Sequence, residues 1–241
     1  MPRSGRGGRG PLLRAAAAAA PLVDKVPSLG LVLRLLQECH RGEGSPWRGY
    51  LESLPPLLPA EGGFGVPLAF GTEALAALEG SAAGDAAVRQ LADFARQYAV
   101  ARAAMEGAED GVDEAKRWPL LWEEFVWASA IVMTRQNPLP PDFLVKGSID
   151  ELALMPFLDY MNHAPTELGG GSVDYEAERC GANVATGCRG VAPGTEVRIC
   201  YGERPSDHLF LYGGFVDGAL MLPGSLFLPT PVYTCFAWLT L

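Results

Sequence analysis

Two hydrophobic rhythms divide this sequence near residue 145, and that change of period limits the fold more than any other feature. Up to about residue 136, apolar residues recur at three- and four-residue steps, as they do on helix faces. Beyond 145 the apolar runs are short and separated by Gly-rich connections, as in small strands. Helices in the first part and short strands in the second argue for an α+β domain.

The helical part resolves into three main segments. From Ser28 to His40 the face is Leu29, Val32, Leu36 and Cys39, widened by Leu31 and Leu35, and Gly42 and Gly44 end it. Trp47, Tyr50, Leu51 and Leu54 form a second apolar cluster before Pro55-Pro56, and residues 55–71 read as a Pro/Gly-rich connection. Leu75 and Leu78 lie on a short segment closed by Gly80-Ser81. A helix over about 85–106 carries Val88, Leu91, Ala95, Tyr98 and Arg102 as its seam. The third helix runs from about Pro119 to Gln136, with Trp122, Phe125, Val126, Ser129 and Val132 facing inward, and Asn137-Pro138 stops it. In the second part, Ala182 to Thr186 and Glu196 to Tyr201 read as strands. In the latter, Val197, Ile199 and Tyr201 share one face, and Pro193-Gly194 before it signals a type II turn.

Charge and cysteine usage narrow the function. The 241 residues carry a net charge of −9, and four arginines without an acid in the first 23 residues leave −13 on the rest. So acidic a body lacks the basic footprint of a nucleic-acid binder, so nucleic acid is not an expected ligand. The five cysteines include no Cys-x-x-Cys pair and the three histidines are scattered, so neither a structural zinc site nor a disulfide framework is expected. Reduced thiols point to a cytoplasmic or nuclear protein. Residues 1–23 form a low-complexity Gly/Arg/Ala segment that reads either as a biased tail or as a transit peptide, which would make the destination a chloroplast. Residues 218–241 form an uncharged apolar tail, but Pro223, Pro229 and Pro231 argue against a membrane-spanning helix.

Three clusters could carry chemistry. In Met155 to Pro165, four-residue spacing places Asp159 and His163 on one side if the segment is a helical turn, with Asn162 between them. That reads as a binding loop or as a helix end capped by Asn162. Tyr201-Gly202 could present a hydroxyl to a cleft, or Tyr201 could be a core residue. Tyr212-Gly213-Gly214-Phe215 could line a ligand or make an ordinary turn. None of them alone identifies a reaction.

Their order resembles a known family. Met-Thr-Arg-Gln-Asn (133–137), Leu-x-Pro-x-x-Asp-x-x-Asn-His (154–163), Tyr-Gly (201–202) and Gly-Gly-Phe-Val (213–216) together resemble the SET-domain protein methyltransferases. The resemblance is to the branch holding the Rubisco large-subunit lysine and actin-histidine methyltransferases. Ser45 to Pro55, Ala95 to Ala99 and Phe125 to Ala128 extend it to roughly residues 28–217.

The resemblance implies a SET domain over 24–217 with a helical insert at about 72–136, in which the Asn-His loop and a C-terminal strand cross like a knot. It implies S-adenosylmethionine as cofactor, with Arg135 at its carboxylate end. Asp159, Asn162 and His163 would line the pocket, and Gly213, Gly214 and Phe215 would close it. Tyr201 would be catalytic, Asn137 would contact the substrate, and no metal would be needed. The substrate would be a protein, with lysine as the commoner acceptor and histidine as the alternative. Two departures accompany it. The N-terminal strands with their Gly-x-Gly are not recognisable, and the helical substrate-binding domain that follows in the family is replaced by the apolar tail, so both are expected to be truncated. A catalytically inactive SET-like protein-binding module is therefore the alternative function, and a membrane-attached interaction protein a third.

Overall fold

Pro in its first turn opens α1 (Pro27–Arg41), and Gly42 closes it at φ +51 with its N–H on the Cys39 carbonyl. The computed structural model describes residues 26–56, 65–108, 119–139, 152–176, 181–185 and 192–216. After α1 come α2 (Arg48–Ser53), α3 (Thr72–Ala76), α4 (Ala82–Ala108) and α5 (Trp122–Arg135).

The main core lies where α1 packs on α5. Leu29, Val32, Leu33 and Leu36 of α1 meet Phe125, Ala128, Ile131 and Val132 of α5, and Ala101 and Met105 of α4 complete the cluster. Tyr98 of α4 sets its ring 5.2 Å from Trp122 and 5.5 Å from Phe125, and its hydroxyl donates to the Leu120 carbonyl at 3.0 Å. An aromatic whose polar tip finds a backbone acceptor can pack this deeply without leaving an orphaned donor.

The expected seam of the long helix holds at Leu91 and Tyr98, which pack against the core, and is off by about one position elsewhere. Val88 is 60% exposed, and Ala95 and Arg102 also face out, while Ala87, Gln90, Ala101 and Met105 are buried. In a helix this rich in alanine, bulk does not mark the inner face. Small Ala87 and Ala101 allow close approach, and Gln90 goes under with its Nε2 on the Leu211 carbonyl and Met133 Sδ, while its Oε1 has no partner. The 55–71 connection also contributes core: Val66 and Leu68, around the 3-10 turn Pro67–Ala69, are buried against Ala130.

The extended part is built from short pieces. α5 stops at Arg135, one residue earlier than expected, because Gln136 and Asn137 enter β1 (Gln136–Pro138) ahead of the proline. β1 pairs antiparallel with β2 (Leu152–Leu154), with Asn137 opposite Ala153. Then follow β3 (Asn162–His163), the antiparallel pair β4 (Ser172–Glu176) and β5 (Gly181–Ala185), and β6 (Arg198–Ile199). Gly194 takes φ +79 in a turn whose Thr195 N–H donates to the Ala192 carbonyl at 3.1 Å, as the Pro-Gly pair predicts. The strand expected over 196–201 is regular only at Arg198–Ile199. Ile199 is buried as the alternation requires, but Tyr201 has left the strand and is 36% exposed.

β6 runs between two partners. On one edge it pairs in parallel with β3, and Ala164 N–H donates to the Ile199 carbonyl at 3.0 Å. On the other edge Gly171 pairs with Ile199, its N–H on Arg198 at 2.8 Å and its carbonyl receiving Cys200 N–H at 2.9 Å. The single stretch 162–171 therefore brackets β6 on both sides. Gly170 permits the crossing, since a Cβ there would fall 1.9 Å from the Ala164 carbonyl oxygen.

The described chain ends in α6 (Ser206–His208) and a π-helical turn, Leu209–Gly213, whose Leu211 is buried with Leu78 and Ala87. Among the described residues no helix is long and apolar enough to cross a membrane. The segment 1–23 and the tail 218–241 lie outside the described residues.

Candidate active site

The C-terminal turn of α5 delivers Arg135 to the 3-10 turn Leu158–Tyr160 that carries Asp159. Arg135 Nη1 donates to the backbone carbonyl of Asp159 at 2.7 Å, while its Nε is buried without a partner. The chain enters this turn through Phe157 at φ +73, a conformation that costs a non-Gly residue about 1–3 kcal/mol. The Asp159 carboxylate accepts the Tyr50 hydroxyl through Oδ2, and its Oδ1 is buried and unpartnered. Burial pushes the Asp159 carboxyl above its usual range, against the lowering effects of the Tyr50 bond and of Arg135. The Tyr50 phenol is pushed far up, first by burial and then by Asp159.

Asp159 and His163 do not share a helical turn. The segment passes from the 3-10 turn into β3, so the reading of Asn162 as a helix cap is also overturned. Asn162 instead donates its Nδ2 to Glu196 Oε1 at 2.6 Å, just before β6. His163 Nδ1 accepts the Tyr201 N–H at 3.1 Å. Its ring lies 5.1 Å from Tyr201 and 5.8 Å from Phe215, with Tyr201 and Phe215 6.3 Å apart. The Tyr201 hydroxyl donates to the Met161 carbonyl at 2.6 Å. Burial of the phenol pushes its pKa up to about 12, Arg135 pulling the other way and Asp159 and Glu196 adding to the rise.

Gly213, Gly214 and Phe215 are placed by two contacts. Gln90, 8% exposed, donates to the Leu211 carbonyl at 3.3 Å and so ties the π-helical turn to α4. Gly214, at φ +76, lies back to back with Gly65, where a Cβ would sit 2.2 Å from the Gly214 carbonyl oxygen.

A cavity of about 680 Å³ opens beside this cluster, lined among others by Asn137, Gly170, Gly171, Cys200, Tyr201 and Arg204. Asn137 Nδ2 donates to the Arg135 carbonyl at 3.0 Å. The expected site residues therefore fall into two neighbourhoods. Arg135, Asp159, Asn162, His163 and the Gly213–Phe215 turn gather around the crossing, Asn137 lines the cavity, and Tyr201 belongs to both. Among the described residues no group of three or more His, Cys, Asp or Glu could hold a metal ion.

Four residues of this arrangement escape sequence reasoning as site residues. Tyr50 lies 109 residues from its partner Asp159, and Gln90 is 121 residues from Leu211. Glu196 appears in the sequence only as the outward face of a strand, and Gly65 only as part of a connection. No spacing rule could have paired them.

No protein-family model matches the chain. It is 31% identical to the actin-histidine N-methyltransferase of Drosophila melanogaster over 204 residues, 78% of this chain and 36% of that protein. The actin-histidine N-methyltransferases of Mus musculus and Danio rerio are each 27% identical over 195 residues, 80% of this chain and 30% of theirs. The chain spans about a third of the length of these curated relatives. Among solved structures, Rubisco LSMT bound to AdoMet superposes with a TM-score of 0.58 at 20% identity, covering 86% of this chain and 44% of that one. The SET domain of LSMT bound to lysine and AdoHcy gives 0.56, also at 20% identity, covering 86% and 44%. This likeness shows the fold: the chain folds as a SET domain, mixed α+β.

Proposed function

We propose that this SET-fold chain, similar in sequence to actin-histidine N-methyltransferases, is a protein N-methyltransferase that uses S-adenosylmethionine and acts on a histidine side chain, with lysine as the second choice. The observation that carries the reading is Tyr201, which joins a cavity open to a substrate to a polar cluster holding an unsatisfied guanidinium N–H. A buried donor without a partner is costly unless a ligand completes it, and a ligand carboxylate would suit Arg135. The residues therefore fit a cofactor with an amino-acid end. Arg135, Asn162, His163 and the Gly213–Phe215 turn would hold it. Bound there, S-adenosylmethionine supplies an electrophilic methyl group on a sulfonium.

The protein's own contribution is positioning. In-line displacement gains most of its rate from alignment, which rigid walls around a shared Tyr201 favour. A phenol with its pKa near 12 stays protonated at neutral pH, so Tyr201 is not a general base there. Its proton is engaged by the Met161 carbonyl, and its oxygen remains an acceptor for an N–H of the incoming side chain.

The acceptor must then arrive with a free lone pair. Imidazole, near pKa 6.5, does so at pH 7, whereas a lysine near 10.4 must first lose a proton. Among the described residues lining the cavity the only charged side chain is Arg204, which repels an ammonium, and no carboxylate lines it. Asn137 is available to hydrogen-bond an imidazole. These features, with the names of the sequence relatives, favour histidine.

Calorimetry with S-adenosylmethionine on the wild type and on Asn162→Ala tests the first half. Micromolar binding lost in the variant is expected, and a folded wild type that binds nothing would sink the reading and leave a non-catalytic SET-like module. Methyl transfer to histidine peptides but not matched lysine peptides, reduced about 100-fold or more by Tyr201→Phe, tests the second half.

A further inference from the structure

Arg135 and Asp159 are neighbours that do not form an ion pair. The guanidinium reaches the Asp159 backbone carbonyl, and its charge works against the rise of the Asp159 carboxyl, yet no carboxylate–guanidinium contact within 4.0 Å joins these two described residues. Both retain an orphaned buried atom, Nε of Arg135 and Oδ1 of Asp159. Left alone, a carboxylate beside an unsatisfied guanidinium turns to it, because such pairs make strong charge-assisted bonds. What holds Asp159 elsewhere is α2. Tyr50 and Ser53, three residues apart on that helix, reach the same turn: Tyr50 donates to Asp159 Oδ2, and the Ser53 and Tyr160 hydroxyls bond to each other. The Tyr50 and Tyr160 rings stack at 6.2 Å and 25°. Tyr50 and Leu51 seat α2 against the main core, and these hydroxyl bonds and the ring stack add its grip on the turn.

We propose that Tyr50 is a positioning residue that holds the Asp159 carboxylate away from Arg135, leaving the guanidinium for the carboxylate of the cofactor. The inference rests on the S-adenosylmethionine reading above for its ligand, but not for the hold on Asp159. Buried unsatisfied groups in a folded protein call for an explanation, and a reserved ligand contact supplies one.

The test uses the full chain as wild type, Tyr50→Phe, Asp159→Asn and the double variant. Phenylalanine keeps the ring stack, so the fold should persist, and thermal melting confirms it. The first readout is ligand-free: an NMR titration of the Asp159 carboxyl carbon, assigned by its absence in Asp159→Asn. If Tyr50 holds the carboxylate off Arg135, Tyr50→Phe lets the pair form and Asp159 titrates at lower pH than in the wild type. If Tyr50 is only a hydrogen bond to a fixed carboxylate, its removal moves the titration upward, and the proposal is overturned.

The second readout is S-adenosylmethionine affinity. Tyr50→Phe should weaken it about tenfold or more, and adding Asp159→Asn should restore it to within about threefold, because an amide cannot neutralise the guanidinium. Unchanged affinity in Tyr50→Phe, or a loss that Asp159→Asn does not rescue, overturns the proposal. A folded wild type that binds no S-adenosylmethionine sinks the cofactor reading, and the carboxyl titration then decides the Tyr50 hold by its sign.

Discussion

Replacing Gly65 by alanine should disturb the site more than a single methyl group on an exposed residue suggests. The added Cβ would sit 2.2 Å from the Gly214 carbonyl oxygen, where ordinary contact begins at 3.4 Å, so one of the two loops must retreat by about 1 Å. Gly214 has little room to yield. It occupies φ +76, it lies 3.0 Å from Gly65 by the same measure, and the turn before it is tied to Gln90. Overpacking of this kind costs about 1–3 kcal/mol. The functional effect should be larger in proportion, because Phe215 follows directly and a misplacement of about 1 Å can cost about 100-fold in rate. Gly49→Ala is the control: nothing lies within 4 Å of its added Cβ, and in the first turn of α2 alanine should be neutral or stabilise by less than about 1 kcal/mol. Urea denaturation and S-adenosylmethionine affinity measured on both variants decide the matter. If Gly65→Ala matches the wild type in both, the back-to-back packing of these loops does not position the site.

Three further outcomes are expected. Cys39 is pushed up to about 11 by burial, then by Glu124 and Glu38, so at pH 8 about 0.1% of it is thiolate and iodoacetamide should label it far more slowly than free glutathione; equal rates would contradict the raised value. Cys39 and Tyr201 both carry raised values in the fold, so the stability they contribute is full below pH 9 and 10 respectively and is lost as pH rises through about 11 and 12. Urea midpoints should therefore fall from pH 9 upward, and Cys39→Ala should flatten the earlier part of that fall. Gln90→Leu removes the bond to the Leu211 carbonyl and should cost about 1–3 kcal/mol, with proteolysis near residues 209–216 rising before global unfolding; uniform loss without that local sensitivity would contradict the anchoring role.

Legibility differed by kind of signal. The α1 face was readable because Leu29, Val32 and Leu36 are bulky and apolar while Arg34 and Gln37 beside them are polar, and bulky apolar Phe125 and Val132 mark the face of α5 likewise. The long α4 was found but its inner face only in part, at Leu91 and Tyr98, since alanine occupies both sides and the buried Gln90 looks polar in any sequence scale. β3 and β6 are two residues each, too short for a period, so only a family likeness pointed to their crossing. In the site, Arg135, Asp159, Asn162, His163 and Tyr201 lie within runs that stand out locally. Tyr50, Glu196, Gln90 and Gly65 matter only through partners far along the chain, and that information exists only once the chain is folded.

The bracketing of β6 also sets an order of events. Ile199 pairs with His163 and with Gly171, 36 and 28 residues earlier in the chain. During synthesis the helices can collapse on one another while 162–171 still waits for the strand it must flank. β6 is made after every helix of the main core, so this step should come late. Until it occurs, Asn162 lacks Glu196, His163 lacks the Tyr201 amide, and the cavity has no floor at Cys200. A chain caught at that stage would show nearly native helix content and no site at all. Once closed, the same arrangement leaves β6 without a free edge for another chain to join.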